Sequence, residues 1–383
     1  MADASEAGLM DLVFEGFLGI ADPVAPGVKG TVALLGGAGL RTVMITGDQR
    51  ATAEAVGRAS GLIDGPARII EGRDLSAMTS AELAARVADV HVFSRVSPEH
   101  KLLIVEALQQ QGEIVAMLGD GVNDAAALKK ADVGVAMGVR GTDAAKQAAA
   151  IVLTDDRFET VAAAVEEGRV IFDNIRKFVF YLFSCNVAEV LVLLAASLAG
   201  LPLPLTPLQL LWLNMVTDTF PALALAMEPG DTSVMRRPPR DPQEAILSPV
   251  FVSSILVYGG MITAVTLGAY WSALRSTPDH ASTIAFMTLA LAQIAHLGNA
   301  RSDRHVLAPR RVAANGFALL GVTMAVALQL LTTTPQLARF LDVASLDTRE
   351  WLSVAAWAAL PAVSGQLWKL ARSHRSKATV AED

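Results

Sequence analysis

The fold class the sequence predicts is an α/β unit with a mostly parallel, doubly wound sheet, followed by an all-α bundle of six transmembrane helices. Three observations predict it. Strand-length apolar runs alternate with helical patterns up to about Arg176, long apolar runs dominate beyond it, and 52% hydrophobic against 18% charged residues is high for a soluble chain. With 383 residues there is room for roughly two or three domains. The expected division is an α/β unit over residues 1–156, a stalk helix over 157–177, a membrane domain over 178–372 and a tail over 373–383.

Composition excludes several classes. A net charge of −7, with no basic patch interleaved with aromatics, argues against a nucleic-acid partner, which needs clustered Lys and Arg. The single cysteine, Cys185, excludes an internal disulfide and lies in an apolar run, as a small packing residue does. The opening MADASEAGLMDL shows no basic region followed by an apolar core, so no cleavable signal peptide is evident.

In order, Leu12 to Ile20 reads as a strand ending at Asp22-Pro23, and Pro26 can open a helix to about Ala38. Further strands are expected near Arg41 to Ile45, Arg68 to Ile70, Val90 to Phe93, Ile114 to Leu118, Val133 to Ala136 and Ile151 to Leu153. Helices are expected near Gln49 to Ser60, Ser80 to Ala88 and Pro98 to Gln110. This alternation predicts a doubly wound, mostly parallel sheet.

Everything is arranged around Ile114 to Gly138, IVAMLGDGVNDAAALKKADVGVAMG. Its five leading apolar residues suit a strand buried on both faces. Gly119, Asp120 and Gly121 then form a turn without bulk, Asn123 is placed to cap the next helix, and Asp124 falls in its first turn. Two carboxylates thus meet beyond a strand's carboxyl end, where open α/β sheets bind ligands, and their hard oxygens suit Mg²⁺ bridging to a phosphate. A tight Asp-Gly turn with a helix cap is the bland alternative. Thr46-Gly47-Asp48 follows the strand Arg41 to Ile45, so the Thr46 hydroxyl and nearby N–H groups can hold phosphate oxygens; a turn with Asp48 as helix cap is the alternative. Lys101, in SRVSPEHKLLIV, starts an amphipathic helix where a lone Lys is ordinarily a solvated surface charge.

Order joins the three. Strand-TGD, then SPEHK, then strand-GDGVND resembles the second, third and fourth motifs of the haloacid-dehalogenase-like phosphotransferases, in the form carried by P-type cation-transporting ATPases. The resemblance implies that Thr46, with Gly47 and Asp48, binds phosphate, that Lys101 stabilises phosphate charge, that Asp120 helps coordinate Mg²⁺, and that Asn123 and Asp124 complete that site. Two departures stand beside it. Where the family has Asp-Pro-Pro-Arg, FLGIADPVAP carries Val24 and Ala25 in the last two places. The family's nucleophilic Asp, in Asp-Lys-Thr-Gly-Thr, has no counterpart: Asp11, Asp22 and Asp48 all lack that context.

Arg157 to Lys177 is an amphipathic pattern running without interruption into Phe178 to Gly200, long enough to span a hydrocarbon core of roughly 30 Å. Further spans are expected at Leu208 to Ala226, Val250 to Trp271, Ser282 to Leu297, Val312 to Leu331 and Trp351 to Leu370. On one side fall Arg236, Arg237, Arg240, Arg301, Arg304, Arg310, Arg311, Lys369, Arg372, Arg375 and Lys377; on the other only Arg275, Arg339 and Arg349. Eleven against three places the α/β unit in the cytoplasm of a multi-pass cell-membrane protein. Within the spans, Asn186 and Glu189 share one face of the first helix, and Asn214, Thr217 and Asp218 one face of the second. Ionisable groups at membrane depth mark ion paths, with interhelical hydrogen bonding as the alternative, and oxygen-only donors suit a hard cation. The loop LPLPLTP makes a tight hairpin of the two.

VEEGRVIFDNIRKFVFYLFSCNVAEV followed by LTPLQLLWLNMVTDTFPALALAMEPGD resembles the fifth and sixth membrane helices of type II P-type ATPases, nearest the calcium pumps. The resemblance implies that Asn186, Glu189, Asn214, Thr217 and Asp218 hold the transported cation, Ca²⁺ foremost, with Asn214 favouring the calcium type over sodium-potassium pumps. The eighth family helix often adds a carboxylate. Here AFMTLALAQIAHLGN offers Gln293 and His296, which makes a second Ca²⁺ site doubtful and His296 a packed polar residue. By the same resemblance ATP and Mg²⁺ serve the intact pump, while the actuator and nucleotide-binding domains, four membrane helices and the phosphorylated Asp lie elsewhere. Autonomous ATP hydrolysis is therefore expected to be absent, with an amino-terminal polypeptide as complementing partner. A non-catalytic cation-binding or regulatory membrane protein, or a membrane-tethered phosphatase, are the competing readings.

Overall fold

The computed structural model describes residues 13–16, 23–231, 233–302 and 314–380, with side chains to residue 371. The chain divides into two compact units, Met1–Ala163 and Ala164–Asp383.

In the first unit, α1 (Val28–Gly37) precedes β1 (Met44–Ile45), α2 (Arg50–Ala59), β2 (Ile69–Glu71), α3 (Gly72–Ala77), α4 (Ser80–Val87), β3 (Val92–Ser94) and α5 (Pro98–Gln110). Then come β4 (Ala116–Gly119), a 3₁₀ turn Val122–Asp124, α6 (Ala125–Lys130), β5 (Val133–Met137), α7 (Asp143–Ala148) and β6 (Ile151–Leu153). All strand pairing is parallel, as the alternation predicts, but it forms two three-stranded sheets, ordered β1-β3-β2 and β4-β5-β6, rather than one. β1 and β4 are edges, and among the described residues no strand joins them. One apolar interior still serves both, because Ile45 and Val115 pack against the cluster around Leu83, Phe93 and Ile104 and also against that around Val105, Met117 and Leu128.

Local chemistry explains the elements. Ser97 caps α5, accepting from His100 N–H at 3.4 Å while its own N–H donates to His100 Nδ1 at 3.2 Å, and Pro98 sits at the first turn where its missing N–H costs nothing. Thr79 and Glu82 form the same reciprocal cap on α4.

Several expectations are corrected. The expected strand Ile114 to Leu118 is not buried on both faces: β4 begins only at Ala116, which is exposed, Met117 is buried, and Ile114 before it is 61% exposed. Asn123 caps no helix; it lies inside the 3₁₀ turn, and Asp124 occupies the cap of α6. Of the strand expected at Leu12 to Ile20, Val13–Gly16 has no regular structure, while Leu12 and residues 17–20 lie outside the described residues, as do Asp11 and Asp22.

The second unit is helical, and its first helix, α8 (Glu159–Leu198), starts at the end of the first. Expected stalk and first span are one uninterrupted helix of 40 residues. There follow α9 (Pro207–Leu213), a π turn (Asn214–Asp218), α10 (Thr219–Ala226), α11 (Pro249–Ser276), α12 (Ala281–Ala300), α13 (Gly316–Leu331), α14 (Pro335–Leu341) and α15 (Thr348–Val380). Among the described residues three helices are long and apolar enough to cross a membrane, or four if α13 and α14, bent by 83°, count as one. By this measure three or four of the six expected spans are found among the described residues. Leu208 to Ala226 fails because the π turn breaks it, and Val312 and the basic residues Arg304, Arg310 and Arg311 lie outside the described residues. Side chains of Arg372, Arg375 and Lys377 do too. The core gathers on α12, nearly every residue of which is buried, Phe286, Met287 and Leu289 among them. Gly259 lets α11 approach α8: a Cβ there would lie 2.9 Å from Val187 and 3.1 Å from the Ser184 carbonyl.

Candidate functional site

Each unit contains one cluster of the residues singled out by sequence. In the first, Asp124 is the hub. Its Oδ1 accepts from Lys101 Nζ, and its Oδ2 accepts backbone N–H groups of Asp120 at 3.2 Å and Gly121 at 3.0 Å. Burial alone would push the Asp124 carboxyl up; the Lys101 ammonium and these N–H donors outweigh it and hold the group below the ordinary carboxylate range. Gly119 is obligatory here, since a Cβ would lie 2.6 Å from Asp124 Cβ.

The other two motifs tie into this hub through the backbone. Thr46 Oγ1 donates to Asp48 Oδ2 at 2.9 Å and accepts the Asp48 N–H at 3.1 Å. Asp48 does not cap α2, whose N-cap is Gln49. The Thr46 and Asp48 carbonyls accept N–H groups of Val96, at 3.1 Å, and Arg95, at 3.0 Å, directly before the Ser97 cap that starts the helix carrying Lys101. Arg95 holds φ at 55°, a left-handed conformation costly for a side chain of this size and typical of functional loops. Thr142 N–H fixes the Asp120 carbonyl at 2.8 Å. Lys101 and Asp124 thus meet by their side chains, while Thr46, Gly47 and Asp48 join through main chain. The Asp120 and Asn123 side chains are exposed.

For Mg²⁺ there are two carboxylates. Both Asp124 oxygens accept hydrogen bonds that order the loop and Lys101 and keep a further lone pair between them, and the Asp120 carboxylate is exposed, so both can be ligands to an ion that keeps most of its waters. Among the described residues no group of three or more His, Cys, Asp or Glu is placed to hold a metal, so any ion there would complete its shell with water or phosphate oxygens.

In the helical unit the five expected residues come together. Asn186 Nδ2 donates to Asp218 Oδ2 at 3.3 Å and Asn214 Nδ2 to Glu189 Oε2 at 3.3 Å, linking α8 to the π turn. Thr217 Oγ1 donates to the Leu213 carbonyl at 2.8 Å. Glu189 and Thr217 are buried, Asp218 is half-buried, and Asn186 and Asn214 are exposed. Asp218 Oδ1 is a buried oxygen with no hydrogen-bond partner. Gln293, from α12, donates to Glu189 Oε1 at 2.9 Å.

Two features were missed by sequence reasoning. The π turn over Asn214–Asp218 could have been suspected from Pro221, which has no N–H for the Thr217 carbonyl four residues earlier. That carbonyl is taken instead by Tyr181 Oη at 2.9 Å, a contact with no local signal. His296 is, as expected, packed: it is fully buried, stacks on Tyr181 with ring centroids 6.0 Å apart, and neither ring nitrogen has a hydrogen-bond partner. Cys185 is a buried free thiol.

Comparison with known proteins agrees with both halves. Residues 202–371 match the family described as cation transporting ATPase, C-terminus, and residues 5–132 and 101–165 match haloacid dehalogenase-like hydrolases. The chain is 42% identical over 356 residues to a calcium-transporting ATPase of Bacillus subtilis, covering 92% of this chain and 40% of that protein. It is 39% identical over 383 residues to calcium-transporting ATPase 1 of Bacillus cereus, covering 95% and 43%. It is 44% identical over 283 residues to the human calcium-transporting ATPase type 2C member 2, covering 74% and 30%. The chain thus spans less than half the length of these curated relatives. With helices apolar enough to cross a bilayer, TGD, SPEHK and GDGVND motifs joined by hydrogen bonds and this likeness over most of its length, the chain belongs to the P-type cation-transporting ATPases, as a stretch matching their carboxyl-terminal part.

Proposed function

We propose that this chain is the carboxyl-terminal working part of an ATP-driven Ca²⁺ transporter, in which the α/β unit handles phosphate and Mg²⁺ and the helical unit holds the cargo. The observation that carries it is the meeting of two carboxylates, two amides and a hydroxyl, from α8 and the π turn, at the depth of apolar helices. Such donors have the hardness Ca²⁺ selects, and an unpartnered buried oxygen on Asp218 is what a cation would satisfy.

In the α/β unit, Asp120 would hold Mg²⁺, whose role when bound is to neutralise phosphate oxygens. Lys101, aimed by Asp124, would face the same charge, and Thr46 with the N–H groups of its turn would bind a further phosphate oxygen. Six spans, the bent and broken helices included, with the α/β unit in the cytoplasm, is the topology this reading requires. An amino-terminal polypeptide would supply the phosphorylated Asp and the ATP site. The domain division at 157–177 and 178–372 and the complete ligand set, Asn186, Glu189, Asn214, Thr217 and Asp218, are part of the same proposal.

The test is thermal unfolding of the purified chain in lipid nanodiscs, with Ca²⁺ against Mg²⁺ and Na⁺. Ca²⁺ should raise the midpoint and Asp218→Asn should abolish the rise; no rise in either protein would end the reading. A second reading, a cation-binding membrane protein without catalysis of its own, draws on the same pairing of Asn186 with Asp218 and Asn214 with Glu189. ATP hydrolysis by the chain alone would exclude it.

A further inference from the structure

We propose that the cavity where α8, α11, α12 and α15 meet binds a phosphate anion, carried by the headgroup of an anionic phospholipid. The cavity measures about 700 Å³ and is closed on its remaining side by the segment that follows α10. Its charge is uneven. Among the described residues Arg176, Lys177, Arg237, Arg301 and Lys369 line it against Asp173, Glu228 and Asp231. Asp173 is taken by Arg237 at 3.0 Å and Glu228 by Arg301 at 3.0 Å. Arg176, Lys177 and Lys369 therefore share the cavity with one further carboxylate, a surplus of two positive charges. Lys177 donates to the Asn174 amide oxygen at 2.9 Å, and Lys369, only 8% exposed, donates to the Asn299 and Ser302 carbonyls at the end of α12. Those oxygens are neutral, and a cation drawn out of water gains more from an anion.

Another wall is aromatic. Phe180 packs on Phe251 and Tyr258, with ring centroids 6.0 and 5.4 Å apart, and the Arg176 guanidinium lies 5.4 Å from the centre of the Phe251 ring. A cationic end beside an aromatic wall, among helices apolar enough to cross a bilayer, fits an amphiphile: phosphate oxygens at the cations, glycerol and the first acyl carbons along the rings. Basic pockets between membrane helices take anionic headgroups in this way. Inorganic phosphate shares the charge but has no apolar part to cover the rings. None of the residues read as cargo ligands lines the cavity, so its occupant is separate from the transported cation.

The experiment uses the full chain in phosphatidylcholine nanodiscs, with and without phosphatidylglycerol, for the unmodified protein, Arg176→Gln, Lys177→Gln and Arg236→Gln. Arg236 is exposed next to Arg237 but does not line the cavity. Native mass spectrometry should find one phosphatidylglycerol retained by the unmodified protein, and its thermal midpoint should rise with phosphatidylglycerol content. Arg176→Gln and Lys177→Gln should each weaken that lipid about fivefold, the scale of one basic residue at an anionic surface, while Arg236→Gln keeps it. Each protein is compared with itself in the two lipids, so a variant of lower stability still reports. Inorganic phosphate added to phosphatidylcholine discs distinguishes the source: a rise in midpoint that Arg176→Gln removes would keep the phosphate site and assign it to a soluble anion. Equal weakening by Arg176→Gln and Arg236→Gln would reduce the effect to general surface attraction and overturn the assignment. So would a protein that prefers neither phosphatidylglycerol nor phosphate.

Discussion

Tyr181 and Pro221 act on one carbonyl. Pro221 cannot donate to the Thr217 carbonyl, and the Tyr181 hydroxyl, from the neighbouring helix α8, donates to it at 2.9 Å in its place. A ring that cannot continue an α-helix and a phenol 40 residues earlier in sequence together keep the π turn whose side chains meet Glu189 and Asn186.

Removing that hydroxyl by Tyr181→Phe leaves a buried carbonyl unmatched and should destabilise the helical unit by about 1–2 kcal/mol. Pro221→Ala restores an N–H that can reach the carbonyl, so Tyr181→Phe should cost less in that background. A double-mutant cycle by chemical denaturation reads the coupling; additive effects would show the two residues to be independent.

Lys101→Met should destabilise the loop around Asp124 by roughly 1.5–3 kcal/mol near neutral pH, the range for a hydrogen bond to a charged group. The pH dependence has a definite sign. Because the folded Asp124 is held below its unfolded value of about 3.9, its stabilisation is present above that value and is lost as pH falls through the lower folded one. Without Lys101, burial raises the folded value, so acid should open peptides from α5 and α6 at higher pH. Hydrogen exchange by mass spectrometry checks it, and an unchanged acid profile would contradict the role given to Lys101.

Gly119→Ala pushes a methyl against Asp124, with Cγ 2.8 Å and Oδ2 2.9 Å away. Overpacking of this kind costs about 1–3 kcal/mol. Exchange should rise in the GDGVND loop and at Lys101, while the helical unit keeps its protection.

Arg301 and Glu228 form a nearly buried ion pair, with Nε to Oε2 at 3.0 Å, and Asn315 adds a bond of 2.6 Å to the same carboxylate. Arg301→Leu strands that charge and should lower stability by about 3–5 kcal/mol. Arg301→Leu combined with Glu228→Gln should recover a large part of the loss; if it recovers none, the pair is not what holds the ends of α10, α12 and α13.

Much of this was legible in the sequence because it is local. The helix Pro98–Gln110 and strand Ile151–Leu153 fall where their apolar period and caps put them, since a Ser-Pro start and a bounded apolar run act over a few residues. The order TGD, SPEHK, GDGVND and the donors at Asn186, Glu189, Asn214, Thr217 and Asp218 were likewise visible as residue type and spacing.

What tertiary structure decided is how those groups are used. Spacing could not show that the Asp124 oxygens accept from Lys101 and two N–H groups while the Asp120 carboxylate stays exposed, because Lys101 comes from a different helix. Nor could it show that pairing stops between β1 and β4, or that Gln293 reaches Glu189 across 104 residues. Hydrogen bonds between remote segments depend on where packing brings two backbones, and that is a property of the whole fold rather than of any window along the chain.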